Sequence, residues 1–132
     1  MKITAKVENS FNNNIVTVQT NDMVQELTIP AKSTGIGSSV NGGEFLCLAL
    51  ATCFCNDIYR ESKKMNIKVT KVLVEASGEF STEGDPGYNI NYRAKIEGDA
   101  SDEELGELMI HTDKVSEIQN TLRAGVKVSL LR

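Results

Sequence analysis

The chain opens on strictly alternating positions. Ile3, Ala5 and Val7 alternate with Lys2, Thr4 and Lys6; Val16 and Val18 alternate with Thr17 and Gln19; Leu27 and Ile29 alternate with Glu26 and Thr28. A period of two predicts three short strands with one wet face. Asn12-Asn13-Asn14 and the stretch from Thr20 to Asp22 supply the turns, because asparagine tolerates left-handed backbone. A small-residue segment follows, Ser33 to Gly43, reading STGIGSSVNGG. Its glycine spacing fits no phosphate-binding motif, so it reads as a flexible lead-in to a helix. From Glu44 to about Lys64 the pattern predicts one long helix, with Glu44 in the first turn, where negative charge is favoured. The first half of that helix is apolar on all sides and is expected to be buried all round, which a single modest sheet cannot provide. The expectation is therefore a second subunit. The half from Asn56 to Lys64 turns polar and is expected to emerge into solvent, with Asn66 closing the helix.

Two longer strands come next. Val72, Val74, Ala76 and Phe80 share one parity; Tyr88, Ile90, Tyr92, Ala94 and Ile96 share another. Asp85-Pro86-Gly87 between them marks a hairpin, and the opposite parity of Ile67 and Val69 predicts a bulge near Thr70. Tyr88 and Tyr92 read as core or interface residues on this apolar face. Ser101 to Glu104 is a capping box, and Leu105, Leu108 and Met109 stripe the helix behind it. His111, late in that helix, reads as a partner of the helix dipole. A short helix over Ser116 to Leu122 and a last strand through Val126, Val128 and Leu130 complete the order βββ-α-ββ-α-α-β. With antiparallel strands and a buried central helix, this is an α+β fold in a single domain over residues 1–132.

Composition narrows the function classes. With 132 residues, 40% hydrophobic and 24% charged, the chain can bury a core. The formal net charge is -4 and the basic residues are scattered, so no nucleic-acid partner is expected. The longest apolar run, Phe45 to Cys55, is too short to span a bilayer, and no membrane partner is expected. The opening residues lack the apolar centre of an export signal, so the cytoplasm, where thiols stay reduced, is the expected location. The three cysteines fall within nine residues, an odd and clustered set that argues against a disulfide framework. No metal and no cofactor are expected, because His111 is the only histidine and C-x5-C-x-C is not a zinc spacing.

The stretch GIGSSVNGGEFLCLALATCF, with SEIQNTLRAGVKVSL near the far end, resembles the signatures of the OsmC/Ohr family of osmotically inducible and organic hydroperoxide resistance proteins. The strand and helix order fits along the whole length. The resemblance implies an OsmC-like fold and an intertwined homodimer whose interface sites draw residues from both chains. It places Cys53 at the reactive position and Glu44 at the family's glutamate. In active members that cysteine attacks an organic hydroperoxide, becomes a sulfenic acid, condenses with a second cysteine, and is reduced by a dithiol.

This chain departs from that pattern in three places. The position of the second cysteine is Ser116, followed by Glu117 where the family has proline. No arginine occurs before Arg60, and the early lysines are not bidentate substitutes. The glutamate of the peroxidase branch falls on Gly43, while Glu44 matches another branch. Cys47 and Cys55 do not replace the missing thiol. At about 100° per residue, Cys53 and Cys55 point about 160° apart, and Cys47 lies about 9 Å along the axis and about 120° round it. A bridge across the dimer stays conceivable, but both otherwise read as packing residues. Asp57 shares the face of Cys53 and raises its pKa; Arg60 is a candidate cation with Asp57 and Glu61 competing for it. Two readings follow. One is a thiol-dependent redox protein that reduces organic hydroperoxides through Cys53, with an external thiol completing a one-cysteine cycle. The other is a non-catalytic homodimer that binds a small hydrophobic ligand in its interface pocket, with Cys53 and Glu44 serving packing and the helix start.

Overall fold

A computed structural model describes residues 1–132, which divide into two compact units, Met1–Glu44 and Phe45–Arg132. In the first unit, β1 (Ile3–Ser10), β2 (Asn13–Thr20) and β3 (Met23–Leu27) form an antiparallel sheet in the order β1-β2-β3. The register runs from Ile3 opposite Thr20 to Ser10 opposite Asn13, and from Val16 opposite Leu27 to Thr20 opposite Met23. Asn12 and Asn21 turn the chain at φ of 56° and 51°, as the asparagine-rich turns predict. The segment expected to be a flexible lead-in is instead tied to the first hairpin. Asn12 N–H donates to the Gly35 carbonyl at 2.7 Å, and Gly37 N–H donates to Asn9 Oδ1 at 3.0 Å. Gly35 is required there: its φ is +89°, and a Cβ would stand 2.5 Å from the Phe11 ring.

The second unit is built on α1 (Gly42–Lys64), whose first residues belong to the first unit, and on the hairpin of β4 (Val69–Glu79) and β5 (Tyr88–Gly98). Helices α2 (Asp102–Val115) and α3 (Glu117–Ala124) follow. The β4–β5 register slips between Val69 and Lys71, where the parity change places a bulge. Inward-facing Val72, Val74, Tyr92, Ala94 and Ile96 pack against buried Phe54, Ile58, Ile67 and Leu108. The capping box forms as expected. Ser101 Oγ accepts from Glu104 N–H at 3.2 Å, and Glu104 Oε2 accepts from Ser101 N–H at 2.8 Å.

Burial in the polar half of α1 reverses the expectation, while the apolar half keeps the uncovered surface for which a second subunit was expected. In its apolar half Leu50 and Phe54 are buried, but Leu48 is 57% exposed. In its polar half Asp57, Ile58, Glu61 and Ser62 are buried. The reversal has an electrostatic cause, since buried charge survives only when paired. Glu61 accepts from Arg60 Nε at 2.7 Å and Lys64 Nζ at 3.0 Å, and lies 3.0 Å from His111 Nε2. His111 therefore joins α2 to α1 through a side-chain pair and is not reserved for its own helix end. The three partners, Arg60 foremost, hold the Glu61 carboxyl at about 2, below its ordinary 4.5. A depressed carboxyl stabilises the fold above its unfolded value and loses that contribution as pH falls. Urea unfolding should show wild type more stable than Glu61→Gln at pH 7, with the gap closing as pH falls from about 4.5 towards about 2. A gap that stays constant over this window would refute the assignment.

The expected last strand does not form. The residues after α3 pair with neither sheet, and Val128 and Leu130 are 94% and 88% exposed. A strand needs a neighbouring edge to satisfy its backbone groups, and this segment finds none within its own chain.

Candidate functional site

Cys53 lies on α1, half-buried, with its Sγ donating to Asp57 Oδ2 at 3.2 Å one turn on. The start of α3 meets this face of α1. The ligating atoms of Cys53, Asp57 and Glu117 lie within 4.8 Å of one another, and the Ile118 backbone N–H is near enough to favour the thiolate. Arg60 clamps the group: its Nη1 stands 3.0 Å from Asp57 Oδ1 and 3.0 Å from Glu117 Oε1. A thiol with two carboxylates is a donor set that a soft divalent cation can use, but here the guanidinium already bridges both carboxylates.

The charges around the sulfur oppose one another. Burial raises the Cys53 thiol above its ordinary value of 9.0, the Ile118 N–H favours the thiolate, and the Asp57 and Glu117 carboxylates add to the rise. The net direction is upward, so the thiol form dominates at neutral pH. Glu117 itself is held low, first by its own backbone N–H at the helix start and then by Arg60.

The sequence-derived candidates separate in the structure. Glu44 belongs to the first unit, where its Oε1 accepts from Asn41 Nδ2 at 2.7 Å and its N–H donates to Asn41 Oδ1 at 2.8 Å. This exchange serves the start of α1. Ser116 is fully buried between α2 and α3, and its hydroxyl donates to the Thr112 carbonyl at 2.9 Å. The segment aligned with the second cysteine thus reaches Cys53 through Glu117 and Ile118, while the Ser116 hydroxyl is spent on its own turn. Cys47, Cys53 and Cys55 are all free thiols. Cys47 lies beside Gly78 of β4, and Cys55 lines a small groove with Val72 and Val74, as packing residues do.

Sequence reasoning missed the amide of Ile118. A cysteine in mid-helix gains nothing from its own helix dipole, but the start of a different helix supplies the donor. Only the match around Ser116 hinted at that approach.

A second feature of this unit is a cavity of about 710 Å³ between α1, β5, α2 and α3, with Leu50, Phe54, Ala94, Met109 and Leu122 among its apolar walls. Cys53 does not line it. At one side Tyr92 donates to Asp113, which also accepts from Arg123 Nη2 at 2.6 Å. Burial works to raise the Asp113 carboxyl, but the Tyr92 hydroxyl and Arg123 outweigh it and hold it low. No helix of the chain is long and apolar enough to cross a membrane.

An antiparallel α+β chain with a helix-borne cysteine set against the start of a later helix defines the class of protein. The sequence pattern of the OsmC-like protein family matches residues 35–131, and the chain belongs to that family. Among solved structures it is similar to an OsmC-like protein of Mycoplasma pneumoniae, at 23% identity and a TM-score of 0.62, with 92% of this chain and 86% of that chain covered. It is also similar to an organic hydroperoxide resistance protein of Elizabethkingia anophelis, at 20% identity and a TM-score of 0.64, covering 97% and 92%. A third is an organic hydroperoxide resistance protein of Legionella pneumophila, at 18% identity and a TM-score of 0.61, covering 98% and 95%. At these identities the likeness is one of fold. No curated protein matches the sequence.

Proposed function

We propose that this protein is a thiol-dependent redox protein in which Cys53 reduces organic hydroperoxides by a one-cysteine cycle. The observation that carries the reading is the setting of Cys53, a half-buried free thiol on α1 that donates to Asp57 at 3.2 Å and that the Ile118 N–H favours as thiolate. Sγ attacks the terminal peroxide oxygen, the O–O bond breaks, and the thiol proton leaves with the alkoxide as an alcohol. Cys53 is oxidised by two electrons to the sulfenic acid. With Ser116 in the second position, an external thiol condenses with the sulfenic acid and releases water. A second external thiol then frees Cys53 as the mixed disulfide is exchanged.

Because the thiol is raised, sulfenic acid formation with cumene hydroperoxide is expected to be slow at pH 7 and to accelerate through pH 9 and above. Glu117→Gln removes one of the opposing charges and should speed iodoacetamide labelling of Cys53 near neutral pH. The reading fails if mass spectrometry finds no oxidised Cys53 even at pH 9.5, or if labelling of Glu117→Gln is slower than wild type.

The homodimer belongs to the same proposal. Exposed Leu48, Val128 and Leu130 are apolar surface that one chain leaves uncovered, and the unpaired last segment offers a strand to another edge. Sizing at micromolar concentration should give twice the chain mass of 14.4 kDa. A monomer would overturn the assembly.

The cavity favours a second reading. An apolar volume that excludes Cys53 suits a ligand-binding protein with no turnover of its ligand.

A further inference from the structure

One side chain ties three helices together beside the sulfur. Arg60 leaves α1 and directs Nε to Glu61 Oε1 at 2.7 Å, while its Nη1 stands 3.0 Å from both Asp57 Oδ1 and Glu117 Oε1. Its Nη2 reaches the carbonyl of Val115, the last residue of α2, at 3.4 Å. A guanidinium spreads five N–H donors over a planar fork and can serve this set of partners; an ammonium is a point charge and cannot span it. The second oxygen of Asp57, Oδ2, accepts from Cys53 Sγ at 3.2 Å, so the arginine holds the carboxylate that meets the thiol. The start of α3 leans on the same side chain. Ser116 gives its first turn no side-chain cap, and Glu117, its first residue, is fastened across to α1 by Arg60. A separate tie keeps α3 in place: buried Gln119 donates from Nε2 to the Leu50 carbonyl at 3.0 Å, and its Oε1 is left without a partner.

We propose that Arg60 is the positioning residue of the Cys53 site, keeping the carboxylates of Asp57 and Glu117 paired with a cation instead of uncompensated beside the sulfur. This rests on the redox reading and deepens it, by assigning the residue that makes the thiolate attainable. The ionised groups gathered at Sγ are Asp57 from α1 and Glu117 from α3, and Arg60 meets both. Each carboxylate by itself opposes loss of the thiol proton. The hydrogen bonds of Arg60 go to Glu61, Glu117 and Val115 and none goes to the sulfur, so it acts on Cys53 through the two acids. Its side chain is 39% exposed, and solvent screening keeps the effect below that of a fully buried pair.

Iodoacetamide labelling of the full chain from pH 7 to pH 11, with Cys53 located by fragmentation in the mass spectrometer, tests the assignment. Arg60→Gln should move the labelling midpoint of Cys53 up by about 0.5–1 pH unit and slow labelling at pH 7 about three- to tenfold. Arg60→Lys, which keeps the charge without the fork, should fall between wild type and Arg60→Gln. Glu117→Gln should lower the midpoint further in the Arg60→Gln background than in wild type, because there the Glu117 charge has lost its cation. A brace with no electrostatic part gives the opposite result: a loosened α3 exposes the sulfur and speeds labelling at every pH, with the midpoint unmoved. That outcome, or an equal effect of Glu117→Gln in the two backgrounds, overturns the inference. If Arg60→Gln does not fold, Arg60→Lys with and without Glu117→Gln makes the same comparison, and an unmoved midpoint there overturns it. Oxidation of Cys53 by cumene hydroperoxide is read separately. Its absence ends the redox reading, while the labelling midpoints still judge Arg60.

Discussion

Replacing Cys53 with serine is expected to reduce consumption of an organic hydroperoxide to the level of the external thiol alone. The change exchanges one atom, sulfur for oxygen, and leaves Asp57, Arg60, Glu117 and the Ile118 amide in place. A hydroxyl so placed has no accessible anion and does not cleave the peroxide bond as a thiolate does. Cys47 and Cys55 stay in the variant, so it also asks whether they contribute. Cys47 lies beside Gly78 of β4, and Cys55 beside Val72 and Val74 of the same strand. Thermal unfolding of the variant should match wild type, since the half-buried site loses no volume of consequence. Full consumption by a folded Cys53→Ser protein would end the redox reading.

Phe54→Ala is expected to cost about 3–5 kcal/mol of stability, measured by urea unfolding. Phe54 is 1% exposed, its ring centroid lies 4.9 Å from that of Tyr92 at 57°, and it packs with Ile58, Ile67 and Leu108. Truncation leaves a void among three elements that the helix backbone holds apart. Domains of this size have about 5–15 kcal/mol in all, so the variant should be close to unfolded under mild denaturant. A loss below about 1 kcal/mol would show that this aromatic pair is not the centre of the core.

Most elements were legible locally. The alternation over residues 3–29 became β1, β2 and β3, the parity break near Thr70 became a bulge, and Ser101 to Glu104 became the capping box. Each depends on residues within a few positions of one another or on a single hairpin. Two expectations, one about burial and one about a strand, failed because each depended on residues far away in the chain. The polar end of α1 is buried because Glu61 finds Arg60, Lys64 and His111, the last of these fifty residues away. The last strand is absent because alternation in Val126, Val128 and Leu130 specifies a strand only where an edge is available.

The candidate site divides the same way. Sequence by itself determined the family signature, the serine at position 116, and the placing of Asp57 one helical turn beyond Cys53, because these follow from identity and from helical spacing. Tertiary structure alone decided what the sulfur faces. Glu117 and Ile118 lie more than sixty residues beyond Cys53, and Arg60 joins α1 to Glu117 only because α3 starts against it. Protonation of a thiol depends on charges within a few ångströms, and those distances are set by packing. The orphaned Gln119 oxygen is also a product of packing, since no spacing in the chain foretells which buried amide will lack a partner.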